Sequence, residues 1–128
     1  MKMIKKLSAL FVLMFAFVAL VGCAPKDPTE AKAKLEEAGY TVVVDGTILP
    51  AALRVFKVDG ADTVVTATKT VDDVTDSVFA VYFTSKDLAK AAVEGVQKYA
   101  ENKGEKTDVK QSGQWVYYGT AQGVKDFE

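Results

Sequence analysis

The chain reads as an α+β domain with a mostly antiparallel sheet and helices packed on one face, preceded by a cleaved export segment. Three observations predict this. Short runs rich in valine, threonine and aromatic residues alternate with period two. Two longer stretches place apolar residues at helical spacing between cap-forming residues and glycine. The first 22 residues stand apart from the rest, because Lys2, Lys5 and Lys6 are followed by an apolar run from Leu7 to Gly22 broken only by Ser8. With 128 residues, the chain suits one domain at about 150 residues each.

The elements follow in order. Asp27-Pro28-Thr29-Glu30 starts a helix, with Asp27 as cap, Pro28 in the first turn and Glu30 placed for a capping box. Its apolar stripe, Ala31, Leu35 and Ala38, is narrow, and Gly39 stops it. Tyr40 to Asp45 is a valine-rich strand. Residues 46–60 fit either a short helix opened by Pro50-Ala51-Ala52-Leu53 or a strand from Leu53 to Val58, with the helix favoured. Ala61 to Thr70 and Ser77 to Phe83 are strands, and the second is apolar on both faces, as a central strand must be. Thr84 or Ser85 caps the longest helix, which runs to about Lys103 before Gly104 and carries Gly95 within it, either for close approach to a strand or as a glycine tolerated without a role. Thr107 to Gln111 and Gln114 to Tyr118 flank Ser112-Gly113 as a hairpin. Thr120 then caps a last helix, Ala121 to Phe127.

The N-terminus has the layout of an export signal: a basic stretch, a short apolar run and a small residue before the boundary. The run is short for a membrane span, which needs about 20 apolar residues. Its end, Leu20-Val21-Gly22-Cys23, resembles the lipobox of bacterial lipoprotein signal peptides, and the polar stretch Ala24-Pro25-Lys26-Asp27-Pro28 follows at once. The resemblance covers residues 1–23. It implies cleavage after Gly22, a diacylglycerol group on the Cys23 thiol, and residence on the cell membrane facing out of the cytoplasm. The chain then divides into a signal peptide (1–22), a lipidated cysteine with a short tether (23–28) and a single domain (29–128). Two acyl chains hold where one binds marginally. The tether, if extended, allows the domain to stand about 20 Å from the lipid. Beyond residue 23 the chain resembles small uncharacterised bacterial lipoproteins in size and layout and carries no diagnostic family motif.

Removing residues 1–22 leaves 106, with 13 Lys and Arg against 17 Asp and Glu, a formal charge of −4. No His and no Met remain, and Cys23 is the one cysteine. That inventory excludes Ser-His-Asp and Cys-His nucleophilic sites and the usual zinc and copper ligand sets. Asp59 and Asp62, and Asp72, Asp73 and Asp76, gather in turns without the spacing of a calcium loop, so no metal and no cofactor is expected. Phosphate-loop glycines are absent, and the net charge disfavours nucleic acid.

Trp115, Tyr117 and Tyr118 are the notable local cluster. On a strand Trp115 and Tyr117 share one face and Val116 and Tyr118 the other. Burial against helices is the favoured reading of either pair, and an exposed Trp115-Tyr117 pair is the candidate contact for a glycan or protein partner. The expectation is a membrane-anchored, non-catalytic binding or interaction module of the bacterial envelope. The alternatives are a small enzyme using carboxylate, Lys or Tyr groups, and an accessory ligand-binding lipoprotein of a transporter.

Overall fold

A computed structural model describes residues 24–105 and 108–128. Its elements are α1 (Pro28–Glu37), β1 (Thr41–Asp45), α2 (Ile48–Leu53) continued by a 3-10 turn (Arg54–Phe56), β2 (Ala61–Val71), β3 (Val74–Phe83), α3 (Lys86–Asn102), β4 (Lys110–Ser112), β5 (Trp115–Gly119) and α4 (Ala121–Phe127). The strands form one antiparallel sheet in the order β1-β2-β3-β5-β4, with β3 at its centre. No helix among the described residues is long and apolar enough to cross a membrane.

The caps expected from sequence form. Asp27 Oδ1 accepts from Glu30 N at 2.8 Å, Ser85 Oγ from Leu88 N at 3.2 Å and Thr120 Oγ1 from Gly123 N at 3.1 Å, each satisfying a first-turn N–H that has no helical partner. Gly39 and Gly104, at φ +97° and +81°, follow the ends of α1 and α3. Residues 46–60 adopt the helical alternative. Asp45 Oδ1 accepts from both Thr47 N and Ile48 N, and Pro50 sits in the first turn of α2, where no N–H is required.

One turn is tighter than expected and another is shifted by one residue. β2 and β3 pair out to Val71 opposite Val74, so only Asp72 and Asp73 make the turn, both at positive φ (51° and 64°), and Asp76 lies within β3 opposite Lys69. This is the geometry of a two-residue hairpin whose twist matches the strands. In the second hairpin Ser112 pairs with Trp115, which moves the turn one residue on, to Gly113-Gln114. The expected start of that hairpin at Thr107 lies outside the described residues.

The α+β class and antiparallel sheet stand, but the helices divide between both faces instead of sharing one. Val65, Ala67, Val78, Ala80, Trp115 and Tyr117 project to one face, under α1 and α4, whose Ala31, Leu35, Val124 and Phe127 meet them. Val64, Val81, Phe83, Val116 and Tyr118 project to the other, under α2 and α3, whose Leu53, Ala89, Ala92, Val96 and Tyr99 cover them. The reason is the apolar content of β3 and β5, which leaves neither face able to meet water. Full burial of side chains such as Leu35, Phe83 and Phe127 contributes about 1.5–3 kcal/mol each.

Close backbone approach explains two glycines. A Cβ on Gly95 would lie 2.7 Å from both the Phe56 carbonyl oxygen and Val58 Cγ2, so the close approach expected at this helix position is made by the turn before β2 and not by a strand. A Cβ on Gly119 would overlap the Ser77 carbonyl oxygen and lie 2.8 Å from Val78 Cα, where the central strands leave no room to yield. Gly119→Ala should therefore lower the unfolding free energy by about 2 kcal/mol or more. Gly46→Ala, where the nearest atom is an ordinary 3.7 Å away, should stay within about 0.5 kcal/mol. Urea midpoints at unchanged slope provide the comparison.

Candidate functional site

The candidate site is a groove of about 510 Å³ on the face covered by α2 and α3. Strand register explains its position. Three rows cross the sheet on that face. Val64, Val81 and Val116 form the first, and they are fully buried. Thr66, Phe79 and Tyr118 form the second, and Thr68 and Ser77 the third. The rows thus pass from aliphatic to aromatic and hydroxyl-bearing along the strands. Beside the last two rows the groove is lined by Leu49 of α2 and by Tyr99 and Lys103 at the C-terminal end of α3.

The floor is organised by aromatic contact. Phe79 stacks on Tyr99 with centroids 5.2 Å apart and lies 5.1 Å from Tyr118, and Phe56 meets Tyr99 edge-on at 5.5 Å. Lys103 Nζ lies 5.6 Å from the Tyr99 ring centroid, a cation–π distance. Glu105 lines the same rim, so the groove carries one positive and one negative group. Burial holds the Tyr118 phenol above its ordinary pKa of 10.0, reinforced by Tyr99 and by the Glu105 carboxylate, and Tyr118 remains a protonated donor at neutral pH.

Thr66 is the unusual member. Its Oγ1 is buried with no hydrogen-bond partner among the described residues, although the side chain lines the groove. A buried hydroxyl without a partner costs about 1–3 kcal/mol. Chemically, the lining offers hydroxyls, aromatic rings, one ammonium and one carboxylate, which suits reversible binding of a small amphipathic molecule. Among the described residues no cluster of three or more His, Cys, Asp or Glu could hold a metal.

The candidate contact pair is not here, and the favoured reading, burial against helices, holds for it. Trp115 and Tyr117 are 2% and 3% exposed on the opposite face, packed against Phe127 at 5.1 and 4.8 Å, and so cannot be an exposed surface for a glycan or protein. Tyr117 OH donates to Glu128 Oε2, and Trp115 Nε1 donates to the Pro25 carbonyl at 2.6 Å. The tether is therefore not a free spacer: Ala24 packs against this core, Pro25 is buried and Asp27 caps α1. Cys23 lies outside the described residues. Of the aromatic trio only Tyr118 reaches the groove. Sequence reading missed Thr66, Thr68, Ser77 and Phe79 as site residues, and the signal for them is the change from valine to threonine at alternate positions of β2.

Comparison with protein-family models, with curated proteins and with solved structures returned no match. The groove geometry therefore stands on its own.

Two outcomes follow. Thr66→Val keeps shape and β-branching while removing the unpartnered hydroxyl, so it should stabilise the ligand-free chain by about 1 kcal/mol, read as a higher urea midpoint. The second concerns alkali. Tyr40, whose OH donates to Asp126 Oδ2 at 2.6 Å, is also held above its ordinary pKa, by burial and then by that carboxylate. Folded Tyr40 and Tyr118 keep protons that the unfolded chain releases above pH 10, so the stability they contribute is complete below that value and declines as pH rises beyond it. Urea midpoints measured from about pH 9 upward should fall, and less steeply in Tyr40→Phe.

Proposed function

We propose that this chain is an extracytoplasmic lipoprotein of the bacterial envelope, anchored through Cys23, that binds a small amphipathic molecule in the α2–α3 groove without transforming it. The groove, with hydroxyls, aromatic rings and two opposite charges in its lining, carries the binding reading. Thr68, Ser77, Lys103 and Glu105 supply the few polar groups that can orient a ligand, while the rings supply contact area. The resemblance of Leu20-Val21-Gly22-Cys23 to a lipobox carries the anchoring reading.

Non-catalytic binding accounts best for the lining. Two-carboxylate hydrolysis needs a pair of carboxyl groups a fixed distance apart, and only Glu105 among the groove residues is acidic. The charge of −4 on residues 23–128 supports a partner other than nucleic acid.

Two measurements test the proposal. Intact mass of the membrane-extracted chain should correspond to residues 23–128 plus a diacylglycerol group, and a chain retaining Met1 overturns the anchor. Amide chemical shifts should then be followed while monosaccharides, amino acids and aryl carboxylates are added in turn. At least one class should move Thr66 to Thr68, Ser77 to Phe79 and Gly119 together. Shifts confined to other surfaces, or none from any class, overturn the groove as the binding site.

A further inference from the structure

The docked N-terminal segment carries an inference about how the domain meets the bilayer. We infer that this segment is a strap that holds the Trp115 end of the sheet against the lipid surface and points the groove away from it. The inference rests on the proposed acylation of Cys23.

The strap is pinned at successive points. Ala24, half-buried, packs against the core on the α1–α4 face, the buried Pro25 carbonyl accepts from Trp115 Nε1 at 2.6 Å, and Asp27 caps α1. α1 is in turn held to the C-terminal helix, where Lys34 Nζ donates to the Phe127 carbonyl at 3.2 Å. Two peptide links separate Pro25 from Cys23, a reach of at most about 7 Å. The free spacer of about 20 Å that residues 23–28 would provide when extended is not available. An acylated Cys23 therefore fixes the domain by the point where Pro25 meets Trp115.

That point is at one end of one face. Trp115 pairs with Tyr82 near the Phe83 end of β3. Thr66, Phe79 and Tyr118 face the opposite side of the sheet, and Gly119 at the groove lies four residues further along β5, about 14 Å at strand rise. Val74, beside the β2–β3 turn, is eight residues from Tyr82 along β3, about 27 Å. The bilayer thus meets the end bearing Lys26 and Gln114. The groove opens to the aqueous compartment, and its ligand arrives from there and not from the lipid.

The acylated chain carries its own probe, since Trp115 is its single tryptophan. The experiment uses membrane-extracted protein in vesicles of phosphatidylethanolamine and phosphatidylglycerol containing a dansyl-headgroup lipid. With the anchor within about 7 Å of Pro25, Trp115 emission should fall by about half or more. A fluorophore on Val74→Cys, the one free thiol once Cys23 is acylated, should transfer to a headgroup acceptor about threefold less than the same fluorophore on Lys26→Cys, because of the ~27 Å offset. Inserting a flexible Gly/Ser linker of about 12 residues between Cys23 and Ala24 adds about 20 Å of mean reach and should restore most of the Trp115 emission. Equal transfer from positions 26 and 74, or Trp115 emission unchanged by the linker, overturns the orientation while leaving the lipoprotein reading intact. An unmodified Cys23 in the intact mass overturns both.

Discussion

Coverage of both faces of β3 governs the rest of the molecule. Val78, Ala80 and Tyr82 project one way and Phe79, Val81 and Phe83 the other, and β5 repeats the arrangement with Trp115 and Tyr117 against Val116 and Tyr118. A sheet apolar on both sides needs two layers of helix. A domain of about 100 residues has few to give. α1 and α4 cover the centre of one face around Phe127, whereas on the other α3 ends at Asn102 and α2 is only six residues long. The uncovered corner is where β2 carries threonine in place of valine. The groove is thus a consequence of how much helix the chain can spend on each side, and its chemistry reflects residues that can tolerate partial exposure.

The same constraint explains why the N-terminal stretch became part of the fold. Trp115 is buried between Tyr82 and Phe127, so its indole N–H, cut off from water, needs an acceptor. The Pro25 carbonyl meets that need, and Tyr82, 4.9 Å away, packs along the ring. A segment that composition marks as a linker is in this way recruited as a lid over an aromatic core. With acylation at Cys23, the boundary between anchor and domain would disappear.

Much of the fold was legible from local patterns. Asp27, Ser85 and Thr120 cap helices as their positions suggest, and the doubly apolar β3 is central. Those features depend on neighbours within a few residues. The division of helices between faces did not emerge, because a stripe as narrow as that of α1 reads as an edge cover until α4 is placed beside it, and Lys34 reaching the Phe127 carbonyl spans 93 residues. The site was least legible. Large aromatics drew attention to Trp115 and Tyr117, yet size is what buries them, while Thr66 reads as an ordinary strand former until its register opposite Phe79 is known.

The turn at Asp72-Asp73 has an influence that reaches well beyond the hairpin tip. Side chains along β2 alternate between the groove and the core beneath α1 and α4, so the pairing of Thr66 with Phe79 is a choice between two ways of threading the strand. A slip of one residue would turn Val65 and Ala67 into the groove and bury the hydroxyls of Thr66 and Thr68 under Leu35 and Phe127. Two aspartates in left-handed conformation, far along the strands from the groove, therefore determine whether the site is polar or greasy. The chemistry of the groove lining is written partly in a loop that lies outside it.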